Sequence, residues 1–319
     1  MGELFAVLAL IFFSINVVVT KIASEYMPID HGFVLSVSVN IVFSILVFAC
    51  ERLFSHVPFT FEMTSFFLFL ASGLFSTYLG RWSYFDAIIK LGPAKASAFQ
   101  VSNPLFTVLL ACIFFQEKLS KLDMLAIILT LLGLFFVSYT PRRAPAYESN
   151  ASNANSFVAV SSEDEQVAKF RPIRLNIHSG VMLALLSATS YAVGNIVRGL
   201  AIKGWNEPVL GALLGASLGG SLYFLTNIQK LKSFSFRKSN KVGLVLFLIS
   251  GILTISAQIL VIASMRTIPV SIANLISMSQ PLLVLPISYF FLKNQEGITR
   301  YTIVGSALVL VGISIILLP

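Results

Sequence analysis

Charge is scarce in this sequence. Only 11% of its 319 residues are Asp, Glu, Lys or Arg, while 56% are hydrophobic. A soluble chain of this size carries about 25% charged residues, so a single water-soluble domain is excluded. Cysteine is nearly absent. The two that occur, Cys50 and Cys112, fall inside apolar runs and provide neither a disulfide framework nor a metal-ligand spacing. Histidine is limited to His31, His56 and His178, each near a predicted helix end, so no metal or other cofactor is expected. No carboxylate pair, His cluster or nucleophile–base pair stands out in an apolar run, and the chain reads as a non-enzyme. The net charge of +8 is distributed mainly between the apolar runs, with no basic groove interleaved with aromatics; nucleic acid is not an expected partner.

What the chain has instead is long hydrophobic runs, with a mean hydropathy of +0.87. Crossing a bilayer core takes roughly 20 apolar residues. Such runs fall near 4–21, 32–50, 64–89, 94–115, 122–139, 180–200, 208–226, 242–264, 269–292 and 299–318. In lipid each must be a helix, because an unpaired backbone group there costs several kcal/mol. The fold class expected is an all-α integral membrane protein of ten helices, with the bilayer as its partner. The start "MGELFAVLALIFF" lacks the basic end of a signal peptide and reads as a retained first helix. Residues 141–177 are rich in Ser, Asn, Ala and charge and read as a polar linker between blocks 1–140 and 178–319.

The blocks repeat. A shift of 176 pairs Ala87 with Ala263, Lys90 with Arg266 and Pro93 with Pro269, while Pro104 pairs with Pro281 at 177. At 179, Glu117 pairs with Glu296 and Gly133 with Gly312. Gly32, Ser36 and Asn40 likewise lie over Gly211, Gly215 and Gly219 at that shift. Five helices per copy would insert the second copy upside down, the inverted-repeat plan of many secondary transporters.

Those residues carry a family resemblance. "YFDAIIKLGPAKASAFQVSNPLFTVLLACIFFQEKLSKLDMLAIILTLLGLFFV" resembles the EamA-type repeat of the drug/metabolite transporter superfamily, with Tyr84, Phe85, Ala87, Pro93, Pro104, Glu117 and Gly133 in the matching places. In the second half the matches are Ala263, Pro269, Pro281, Glu296 and Gly312, and "SINVVVTKIA" resembles the family's first helix. The resemblance implies transport of a small polar or amphipathic molecule by alternating access, with export as the expected direction and the plasma membrane as the expected location. A flippase or scramblase for a lipid-linked substrate is the alternative. The family's small proton-driven members carry an embedded Glu in helix 1, where this chain has Asn16.

Two charges stand well inside a run, Arg81 and Asp86, and by sequence they are the only ones so placed. Asp86 lies one turn from Lys90, which suits a salt bridge. Arg81 has no such neighbour, so it is a candidate to attract an anionic or carboxylate-bearing substrate, or else a lock between helices. Uncharged polar positions complete the candidate substrate site: Asn16, Tyr84, Gln100, Asn103, Tyr191, Asn195, Gln258, Asn274 and Ser277. Helix-bonding glue is the alternative role for each. Pro104 and Pro281 are expected to bend helices 4 and 9 near their middles. Glycines 211, 215 and 219 form a small-residue seam on helix 7. Counting Lys and Arg, loops 1–2, 3–4, 5–6, 7–8 and 9–10 hold 15 and the other loops 6, with Arg198 among the latter. The positive-inside rule then puts the linker in the cytoplasm.

Overall fold

The computed structural model describes residues 1–54, 59–84, 102–116, 120–138, 177–231, 240–280 and 300–317, together with Ala87, Phe99, Leu282, Leu283 and Ile287. The 141–176 part of the linker, Phe85, Asp86, Lys90, Pro93, Gln100, Glu117, Pro281 and Glu296 lie outside the described residues.

Every regular element among the described residues is helical. In order they are α1 (Gly2–Ser24), α2 (Ile29–Phe54), α3 (Met63–Tyr84), α4 (Ser102–Phe114), α5 (Lys121–Ser138), α6 (Ile177–Gly204), α7 (Pro208–Thr226), α8 (Lys241–Ser264), α9 (Val270–Met278) and α10 (Arg300–Leu317). A single helical turn, Ile228–Leu231, follows α7. Six helices, α1, α2, α3, α6, α7 and α8, are long and apolar enough to cross a membrane. Of the other four, α4, α5 and α10 border residues outside the described set, and α9 is nine residues long.

Local sequence explains the helix ends. Glu62 caps α3 by accepting from the Ser65 and Thr64 amides, and those bonds, led by Ser65, hold its carboxyl below the usual range. Pro208 opens α7, where its missing N–H is no loss. Asn240 caps α8 through the Val242 amide. Pro104 is buried on α4, and the residues just before Ser102, which decide whether it bends that helix, lie outside the described residues. On α9 the helix stops at Met278 with Ser279 as its cap, ahead of Pro281.

Packing follows small residues, as expected where lipid supplies no hydrophobic drive between helices. The seam on α7 faces α3 of the same chain: Gly211 lies against Phe69, Gly215 against Gly73, and Gly219 against Thr77. Its repeat counterpart on α2 faces α8, with Gly32 against Phe247 and Ser36 against Gly251. Gly133 of α5 meets Gly305 and Val309 of α10, while Gly312 of α10 meets Ala126 and Thr130 of α5.

Most of the list of neighbours keeps its form when helices 1–5 are exchanged for 6–10, although α7 also packs on α8 without a like α2–α3 contact among the described residues. α1 packs on α8 as α6 packs on α3, α2 on α8 as α7 on α3, and α1 on α9 as α6 on α4. α2–α7, α4–α9 and α5–α10 pair with each other. Two of these pairs are visibly antiparallel. The end of α2 meets the start of α7 through Arg52 and Glu207, and the start of α2 meets the end of α7 through Asp30 and Tyr223. The α5–α10 glycine contacts cross in the same sense.

Candidate functional site

α3 is not a plain α-helix. Leu74–Gly80 is π-helical, a winding that frees backbone carbonyls and recurs at functional sites. α6 uses what is freed: Ser187 donates to the Gly80 carbonyl at 2.7 Å, and Tyr191 packs on Gly80. Gly194 lets α6 come close to Ser76. One turn further along, Arg198 reaches the same serine, its Nη2 donating to Ser76 Oγ at 2.6 Å.

From Arg198 a chain of hydrogen bonds runs through the bundle. Its Nη1 points at Asn195 Oδ1 at a long 3.5 Å. Asn195 Nδ2 donates to Asn274 Oδ1 at 2.7 Å. Asn274 Nδ2 donates to Asn103 Oδ1 at 3.1 Å and to Thr107 Oγ1 at 2.9 Å, and Thr107 donates back to Asn103 at 3.2 Å. All of these residues are buried; Asn274 and Thr107 are 0% exposed and Arg198 is 7% exposed. The chain ties α3, α6, α9 and α4 together, two helices from each block. Asn195 stands nine residues before the end of α6, about 14 Å along the axis, close to the middle of a core about 30 Å thick.

Three of the residues singled out in sequence, Asn103, Asn195 and Asn274, are therefore joined directly, and Tyr191 flanks them on α6. Ser277, one turn along α9, bonds back to the Asn274 carbonyl at 3.2 Å. Others sit elsewhere. Asn16 belongs to a separate α1–α8 cluster, accepting from Ser250 at 2.6 Å and from Thr20 at 3.4 Å. Gln258 on α8 is half-buried and joins neither cluster among the described residues. Tyr84 packs with Ala87 and Ala184 between α3 and α6. Arg81 lays its guanidinium 4.8 Å from the centre of the Phe33 ring.

Arg198 is the residue that sequence reasoning misplaced. Counted as a loop cation, it is instead a buried charge inside α6, so Arg81 and Asp86 are not the only charges within the helices, and the other loops hold 5 cations where 6 were counted. The signal was present: Ser187, Tyr191 and Asn195 step by four, and Arg198 extends that face by three. Ser76 gave no signal, because its part rests on the π-helical turn.

A second polar contact closes one end of the α2–α7 pair. Arg52 Nη2 donates to both Glu207 oxygens, at 2.5 and 2.6 Å. The guanidinium lies 5.1 Å from the Phe48 ring and 5.2 Å from Phe59. Trp205 packs on Phe59 and Phe61 at 5.6 and 5.4 Å, so the ion pair is walled by aromatic rings. Between α2 and α7 there is also a cavity of about 440 Å³, an apolar groove lined by Phe33, Val37, Ile41, Tyr223 and Phe224 among others.

A helical bundle with apolar outer faces and a polar chain buried between two blocks defines a multi-pass membrane protein. The model of the EamA-like transporter family matches residues 1–139 and again 178–318. The chain belongs to that family of membrane transporters, within the drug/metabolite transporter superfamily. No curated protein matches it. A protein of known crystal structure, described only as "Crystal structure of protein", is similar with a TM-score of 0.70 and 15% identity, over 99% of this chain and 96% of that one. At that identity the likeness shows the fold alone.

Proposed function

We propose that this chain is a ten-helix secondary transporter of two inverted repeats, 1–140 and 178–319, joined by the linker 141–177. It exports a small polar or amphipathic metabolite across the plasma membrane by alternating access. The observation that carries the reading is the buried chain Arg198–Asn195–Asn274–Asn103/Thr107, which joins helices of both blocks near the middle of the bundle. Alternating access asks for a site between two bodies that rock on one another. The exchangeable pattern of neighbours, and the antiparallel run of α2 on α7 and α5 on α10, are what inverted repeats produce.

The Arg52–Glu207 pair then acts as a latch, broken whenever that end opens. To test this, Arg52→Cys and Glu207→Cys are combined in a chain with Cys50 and Cys112 replaced by serine. Metabolite release is compared before and after bridging with a short bis-maleimide. Bridged protein should stop, and the unbridged pair should work. Full release from bridged protein would refute opening at this end.

The apolar groove between α2 and α7 favours a second reading, a flippase whose substrate keeps its acyl chains in that groove. Proteoliposomes separate the two: scrambling of a fluorescent lipid without release of any water-soluble metabolite would select the flippase.

A further inference from the structure

Arg198 is more than the lock between α3 and α6. Its guanidinium has five N–H donors. One goes to Ser76, and a second makes only the long contact to Asn195. Among the described residues Nε is buried and has no hydrogen-bond partner. Both partners are neutral. Among the described residues each carboxylate is engaged elsewhere or exposed: Asp30 with Tyr223, Glu62 at the α3 cap, Asp123 with Ser120, Glu207 with Arg52 and Glu3 with the amino terminus, while Glu25 and Glu51 are exposed. Arg81 adds a second cation within electrostatic reach of Arg198, so the neighbourhood gains more positive charge. A buried charge without a counter-charge is strongly unfavourable, and helix glue alone would be served as well by a neutral amide.

We propose that the counter-charge arrives with the substrate: the transported solute bears an oxyanion, a carboxylate, phosphate or sulfonate, which Arg198 binds through Nε and the loosely held Nη1. Planar guanidinium groups take such anions in pairs of parallel bonds. The relay gives binding a consequence. Every bond from Arg198 outwards has its donor on the Arg198 side, through Asn195 to Asn274 and on to α4. An anion that takes Nη1 frees Asn195 Oδ1, and Asn195 is the link to α9. Occupancy is thereby reported to both blocks.

This inference rests on the transport reading above, and the test keeps the two apart. Cells producing wild type, Arg198→Gln, Arg198→Lys or no protein are compared by mass spectrometry of cytosol and medium in both ion modes. At least one anionic metabolite should change its medium-to-cytosol ratio at least tenfold with wild type. The change should vanish with Arg198→Gln and return in part with Arg198→Lys. The purified wild type should be stabilised by at least 3 °C by that anion at 10 mM, and not by its neutral amide or dephosphorylated analogue. If only neutral or cationic species move, transport stands and the anion class is overturned. If nothing moves, both readings fall. Should Arg198→Gln fail to fold, the charge of the wild-type cargo and the paired thermal shifts still decide. Asp86→Asn guards the remaining alternative. Loss of export equal to that of Arg198→Gln would make the chain's own carboxylate the partner of the arginine and overturn the proposal.

Discussion

Replacing Asn274 by alanine tests whether the buried polar chain holds the two blocks together. The wild-type amide takes part in three hydrogen bonds, at 2.7, 3.1 and 2.9 Å, to α6 and α4. Bonds of this kind inside membrane proteins average about 0.6 kcal/mol each, giving about 2 kcal/mol for three. The truncation also strands Asn195 Nδ2, whose acceptor is removed, in a buried site. An orphaned buried donor costs about 1–3 kcal/mol. Asn274→Ala should therefore destabilise by about 3–5 kcal/mol, a fall of about 6–20 °C in Tm at about 2–4 °C per kcal/mol for chains of a few hundred residues. Fluorescence-detected unfolding of the purified protein reads Tm, and unfolding in mixed detergent reads the free energy. Thr107→Val removes one of the three bonds and the Thr107–Asn103 bond besides, and should cost about a third as much. The double variant should cost less than the sum, because both changes remove the same bond. A Tm fall below 2 °C, or strict additivity with Thr107→Val, would refute the reasoning and return these residues to independent roles.

Other outcomes are as definite. Gly73→Ala places a methyl 2.6 Å from the Gly215 Cα, where backbone must move, and should cost about 1–3 kcal/mol; Gly215→Ala, whose methyl sits 3.6 Å from Gly73 Cα in ordinary contact, should be nearly neutral by the same thermal assay. Glu207→Gln should cost about 1–2 kcal/mol, discounted for partial exposure of the pair, and the swap of Arg52→Glu with Glu207→Arg should recover most of it. Arg81→Ala should leave Tm within about 2 °C and lower metabolite release several-fold, since its contact is with one ring face of Phe33; an equal loss of Tm and release would make it a helix lock. Chains 1–145 and 166–319 produced separately should assemble and copurify, because residues 145–165 are polar and aperiodic; failure to copurify would give the linker more than a tethering role.

Much of the architecture was legible in the sequence. Run length and the absence of charge dictate helices in lipid, since no other backbone satisfies its own hydrogen bonds there. Matched Pro, Gly, Glu and basic residues carried the repeat and the family in the sequence, and the matched pair Gly133 and Gly312 marks a close contact made from both blocks. Asn103, Asn195 and Asn274 could be picked as polar residues in apolar runs. Their union into one chain could not, because residues 79 and 171 positions apart meet only after α4, α6 and α9 pack. Arg198 shows the same limit. Near the end of an apolar run, a cation reads as a loop charge facing water. Only packing decides that α6 runs on to Gly204, that the π-helical turn of α3 presents Ser76, and that the guanidinium is enclosed. The physical reason is range. Helix formation in a bilayer depends on the local run of residues, whereas burial of a polar group depends on which distant helix covers it.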